Sequence, residues 1–168
     1  VSRSIINFDY SSIPTGATIT SATLSLFGNS TTSNTQGSTG NNACYLQRIT
    51  SSWNSSTVDW SNQPLTTTIH QYAIPQSSSI YEDYPSLDIT DLVIDDYNDL
   101  TNSGFLLRLQ NETLGNSMVF SSTDNADSNN WPKLIVCYTL PEAVKNISYE
   151  KNSFAIYPNP SADYFILS

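Results

Sequence analysis

The chain has 168 residues, enough for one well-formed core and a tail. Six basic residues stand against fifteen acidic ones for a net charge of −9, and such a chain repels phosphate backbones and anionic lipid, which excludes nucleic acid and the membrane surface as ordinary partners. Only 12% of residues are charged, Ser, Thr and Asn carry the polarity in the manner of exported proteins, and no apolar run approaches the roughly 20 residues of a membrane span.

Taken in chain order, Ile6, Phe8 and Tyr10 alternate with Asn7 and Asp9, the period of a half-buried strand. Ile13-Pro-Thr-Gly16 turns the chain, and Ile19, Ala22, Leu24 and Leu26 resume the apolar set against Thr23 and Ser25. Residues 28–42 hold no large apolar side chain, which predicts a long loop. Ala43–Thr50 reads as a strand, and Trp53 and Trp60 flank the next turn as expected core anchors. Leu87-Asp-Ile89 runs into a helix over Thr90–Tyr97, with Thr90 as its expected cap, Val93 and Tyr97 on one face, and Asn102-Ser-Gly104 as its stop. Phe105, Leu107 and Leu109 mark a further strand, followed by Met118–Ser121 and by Lys133–Leu140 with Leu134, Val136 and Tyr138 on one face. Many short strands divided by polar turns predict an all-β fold, a jelly-roll-like antiparallel β-sandwich with one short helix.

Cys44 and Cys137 lie in two of these strands, either bridged, as an oxidising compartment allows, or as separate buried thiols. His70 is the one histidine and has no nucleophile motif around it, so the chain reads as non-catalytic; the carboxylates of Asp91–Asp99 are expected to form a solvated helix face. No cofactor is expected. Asp124 and Asp127 sit in an Asx-rich loop with hard oxygen ligands, a candidate for structural Ca²⁺ or simply turn chemistry. Trp131, Tyr72, Tyr81 and Tyr84 stand in polar surroundings and are the candidate exposed rings for stacking on sugars.

After Pro141 the alternation ends. Residues 141–153 read as a linker, and Phe154-Ala-Ile-Tyr157 and Tyr164-Phe-Ile-Leu167 as two short strands around a Pro-Asn-Pro turn. This segment, through Phe154, Ile156, Tyr157, Pro158, Asn159 and Pro160, resembles the start of a type A C-terminal sorting domain of type IX secretion substrates. The resemblance implies a partial C-terminal β sorting domain over 154–168, recognition by the type IX translocon and its shuttle proteins, and a place at the cell surface or outside the cell. The chain opens at Val1 in a strand-like run without a basic, apolar leader, so a longer precursor is expected.

A second resemblance covers residues 3–140. Phe8-Asp-Tyr-Ser-Ser-Ile-Pro-Thr-Gly-Ala17, Ser21-Ala-Thr-Leu-Ser-Leu26, Gln47-Arg-Ile-Thr-Ser-Ser-Trp53, Thr57-Val-Asp-Trp60 with Asn62-Gln-Pro64, Leu87-Asp-Ile-Thr-Asp-Leu-Val93, Ser103-Gly-Phe-Leu-Leu107 and Pro132-Lys-Leu-Ile-Val136 follow one another as in DNRLRE domains. That family is similar to extracellular carbohydrate-binding modules of jelly-roll type, some of which bind uronic-acid polysaccharides. Its first strand has no counterpart here and is expected upstream. The resemblance implies a sandwich over 1–140 that binds a polysaccharide. The alternatives are an adhesin or stalk spacer, or the accessory domain of a polysaccharide-degrading enzyme. A uronic ligand would need Arg3, Arg48, Arg108 or Lys133 to offset the acidic chain.

Overall fold

In a computed structural model, which describes residues 2–29, 40–79, 81–99, 103–113 and 115–140, the longest strand shows how an irregular apolar spacing becomes regular burial. Ile19 and Ala22 are three apart, so a flat strand β2 (Thr18–Leu26) would aim them at opposite faces. The pairing with the last strand, β7 (Lys133–Thr139), shifts register between Ile19 and Ser21. This bulge takes up one residue, Thr20, whose hydroxyl donates to the Cys137 carbonyl at 3.1 Å. Ile19, Ala22, Leu24 and Leu26 are then all buried on one face.

Two antiparallel sheets result. One runs β1 (Ser4–Ile6), β6 (Phe105–Leu109), β3 (Cys44–Arg48), β4 (Tyr72–Ile74); the other runs β5 (Tyr84–Asp88), β2, β7. The core between them is filled by Leu24, Leu26 and Leu87 from one side and Cys44, Leu46, Ile74, Phe105 and Leu107 from the other. Each fully buried Leu or Phe contributes about 1.5–3 kcal/mol. The all-β sandwich expected from the strand pattern is the observed fold.

Helix α1 (Thr90–Asn98) closes one end, burying Leu92, Val93 and Asp96. Tyr97 meets Tyr10 edge-on at 6.1 Å and donates its hydroxyl to the Pro14 carbonyl at 3.1 Å. Three details of this region differ from expectation. Thr90 does not cap: its hydroxyl donates to Asp88 Oδ1 and accepts from the Ala22 amide, which pins the helix start to β2. The helix ends at Asn98, ahead of the expected stop, and Gly104 serves elsewhere, with φ +78° and so close to β1 that a Cβ would lie 2.4 Å from the Ile6 carbonyl oxygen. The acidic face is not wholly solvated either. Asp96 is buried and accepts the Gly104 amide at 3.1 Å through Oδ1, and burial raises its pKa.

Two expected strands fall short. β1 ends at Ile6 because Asp9 turns the chain, accepting the Ser11 amide and hydroxyl at 2.8 and 2.9 Å; Phe8 and Tyr10 still pack on the core. Met118–Ser121 makes one bridge, Gly28 to Phe120, rather than a strand. Most of the predicted loop lies outside the described residues, but Asn42 at its end is fully buried, bonded to Ser77 and to the Ser117 carbonyl. The cysteines are not bridged: Cys44 faces the core from one sheet, while Cys137 is exposed on the other. The predicted linker 141–153 and tail 154–168 lie outside the described residues.

Candidate functional site

With Cys44, Leu46, Phe105 and Leu107 facing the core, alternation turns Tyr45, Gln47, Leu106 and Arg108 to the opposite, outer face of the four-stranded sheet. Register places Arg108 opposite Tyr45, and Tyr45 opposite Ala73. Arg3, one residue before β1, joins the same face.

The segment after β3 folds back over part of this face. Ile49 bridges to Thr66, and the Thr66 hydroxyl donates to Gln47 Oε1 at 3.1 Å. The Gln47 side-chain amide donates to Gln71 Oε1 at 2.7 Å; Gln47 and Leu106 of the sheet are buried, as is Pro64 of the covering segment. What stays accessible is a strip across three strands. The Arg108 guanidinium lies 5.5 Å above the Tyr45 ring and donates from Nε to Gln47 Oε1 at 3.3 Å. At the strip's end the Arg3 guanidinium lies 4.9 Å from the centre of the Trp60 ring, donates to both oxygens of Glu112 at 2.7 Å, and reaches Gln63 Oε1 at 2.9 Å. These bonds hold the Glu112 carboxyl below its ordinary pKa and raise that of Arg3.

Trp60, expected as a core anchor, is 57% exposed. It sits in a turn where Asp59 Oδ1 accepts the Ser61 amide and Asn62 Oδ1 the Asp59 amide, so the chain has no path inward there. Trp53 is half-buried, its indole N–H donating to the Ser103 carbonyl at 2.8 Å. The chemistry that results is an aromatic ring open to solvent, braced by a cation, among amide and carboxylate groups. Rings of this kind stack on apolar ligand faces while the polar groups read hydroxyls.

The rings named from sequence are dispersed. Trp131 is 40% exposed, its indole N–H held by the Asn125 carbonyl at 2.8 Å, and Tyr81 is 41% exposed. Tyr72 is half-buried at the core's edge in β4. Tyr84 cannot serve as a platform: it is 5% exposed, packs edge-on against Phe120 at 5.7 Å, and donates its hydroxyl to the Pro75 carbonyl. Asp127 Oδ1 accepts the Asn129 amide and caps the short 3₁₀ turn Ser128–Asn130, while Asp124 is exposed. No cluster of three or more His, Cys, Asp or Glu side chains suited to a metal occurs among the described residues. His70 pairs with Asp95 at 2.9 Å on the surface.

A groove of about 900 Å³ opens beside β1, with Ile6, Phe8, Leu26, Met118, Arg108 and Glu112 among its lining residues. It joins the strip where Glu112 stands. Tyr45, Gln63 and Glu112 were not named as site residues from sequence and Trp60 was placed in the core, although the parity of β3 alone would have turned Tyr45 outward once Cys44 and Leu46 were taken as core.

The model of carbohydrate-binding module family 96 matches residues 1–138. The chain belongs to carbohydrate-binding module family 96. No curated protein and no solved structure matches it. Membership upholds the carbohydrate-binding half of the sequence reading and accords with a sandwich whose outer face carries rings, guanidinium groups and amides. The residues read as a sorting signal lie outside the family 96 match. Among the described residues of this family 96 module, no helix is long and apolar enough to cross a membrane.

Proposed function

We propose that this chain is a non-catalytic, exported module that holds a polysaccharide across the outer face of its four-stranded sheet. The observation that carries the reading is the strip of Tyr45, Arg108, Arg3 and Trp60, which presents stacking rings and hydrogen-bonding groups in one line. Adjacent strands lie about 4.8 Å apart, so the line runs across roughly 10 Å or more and suits an extended chain rather than a single small molecule. Trp60 provides the ring, Gln63 and Glu112 the polar contacts at one end, and Tyr45 with Arg108 those at the other. Export by a type IX apparatus is supported by Tyr157-Pro-Asn-Pro160 between two strand-like runs and by the acidic, Ser/Thr/Asn-rich composition.

Affinity electrophoresis through gels containing polysaccharides tests the binding site. Trp60→Ala and Tyr45→Ala should each weaken retention about tenfold, the loss of ~1.4 kcal/mol, with the melting temperature of Trp60→Ala unchanged. Trp131→Ala should be retained as the parent is. Loss of retention in Trp131→Ala alone would move the site to the loops that carry Trp131, and a parent retained by no polysaccharide would refute the reading.

A further inference from the structure

Resting on that reading, we propose that Gln47 is a positioning residue for the strip: it ties the covering segment to Arg108 and so holds the guanidinium in place over Tyr45 before a polysaccharide arrives. Arg108 and Gln47 are diagonal neighbours, since Arg108 lies opposite Tyr45 and Gln47 follows Tyr45 by two on the same face of β3. The Gln47 side chain is buried, and its bonds are divided by chemistry. Oε1 accepts from the Thr66 hydroxyl at 3.1 Å and from Arg108 Nε at 3.3 Å, while Nε2 donates to Gln71 Oε1 at 2.7 Å. Thr66 is itself fixed, because the Thr67 amide donates to the Arg48 carbonyl at 3.0 Å and the Thr50 amide to the Leu65 carbonyl at 2.8 Å. Gln47 therefore meets Arg108 as a rigid acceptor, set by residues 19 and 24 positions further along the chain.

Arg108 needs such an acceptor more than Arg3 does. Arg3 is held by both oxygens of Glu112 and by Gln63. The ion pairs among the described residues use Arg3, Arg48 and His70, and none holds Arg108. What locates its guanidinium is the Tyr45 ring, 5.5 Å away, and the bond to Gln47. A ring face lets a cation slide across it. The Gln47 bond fixes the Nε edge and commits none of the Nη donors. A long side chain immobilised in this way before binding removes an ordering cost from association.

Two measurements on the parent and on Gln47→Met, which keeps the length of the side chain but removes the amide, test this. In nitrogen-15 NMR the Arg108 Nε–H should be ordered and slow to exchange in the parent, mobile in Gln47→Met, and ordered again in Gln47→Glu, whose carboxylate still accepts. In affinity gels containing alginate, polygalacturonate or a neutral β-glucan, Gln47→Met should weaken retention on whichever polymer holds the parent by about two- to tenfold. Gln47→Met/Arg108→Ala should be no weaker than Arg108→Ala alone, because Gln47 acts through Arg108. Gln47→Asn, one methylene short of Arg108, gives the same readouts should Met disturb folding. An Arg108 Nε–H equally ordered in folded Gln47→Met or Gln47→Asn, or losses that add in the double variant, would overturn the proposal while leaving the binding site standing. A parent retained by none of the three polymers would remove the reading of the strip, and the role of Gln47 in binding with it.

Discussion

Leu24 lies at the centre of the three-stranded sheet, opposite Leu87 of β5 and Leu134 of β7, and has no exposed surface. Replacing it with Ala removes three carbons. At about 0.8 kcal/mol per buried methylene, the lost transfer energy is ~2.4 kcal/mol. A residual cavity of ~50 Å³, at about 24 cal/mol per Å³, adds ~1.2 kcal/mol. β2 is hydrogen-bonded on both sides, so its backbone cannot follow the collapse, and the sum of about 3.5 kcal/mol should stand. For a domain of this size that corresponds to a fall in melting temperature of roughly 10–15 °C. Ile135, whose neighbour across β2 is Thr23, is the matched control: it is the same class of residue, one position away in register, but 48% exposed. Ile135→Ala should cost under about 1 kcal/mol. Urea titration followed by the fluorescence of the half-buried Trp53 reads both. A Leu24→Ala variant within ~0.5 kcal/mol of the parent, or an Ile135→Ala variant equally damaged, would refute the assignment of inner and outer faces.

Asp96 makes stability depend on pH in a direction opposite to that of the other shifted carboxylates. Burial raises its pKa beside Tyr10, Arg48 and Asp99, so its ionised form is disfavoured in the fold, and stability should rise as pH falls from neutrality through its folded value toward 3.8. Asp9, Asp59, Asp88, Glu82 and Glu112 are held below their ordinary values of 3.8 or 4.5 by hydrogen bonds, so their contribution is present above those values and lost as pH falls through the folded ones. Asp96→Asn, which keeps an acceptor for the Gly104 amide, should abolish the rise and leave the acid fall; an identical profile of denaturation midpoint against pH would show that Asp96 does not titrate in this window. For the tail proposed as a sorting signal, deleting residues 154–168 should leave the sandwich folded but retained in the periplasm. Fractionation that finds the deletion outside intact cells at parental levels would eliminate the sorting assignment.

Alternation along the chain determined the all-β class, because a residue's face in a strand depends only on parity, and parity is written locally. It placed Leu24, Phe105 and the α1 segment correctly for the same reason, and ordered motifs over most of the chain pointed to a carbohydrate-binding relative. What alternation cannot express is a bulge. Only pairing with β7 shows that Thr20 is the extra residue that lets Ile19 and Ala22 share a face. Nor can composition say whether an aromatic ring is buried: Trp60 and Tyr84 both sit among polar neighbours in sequence, yet one is 57% exposed and the other 5%. Burial depends on what the rest of the chain lays over a position. Phe120 and Pro75 cover Tyr84, whereas Trp60 is met by Arg3 from the far end of the sequence. The Arg3–Glu112 pair joins residues 109 positions apart. No local pattern encodes it, because it exists only once β1 has taken its place beside β6.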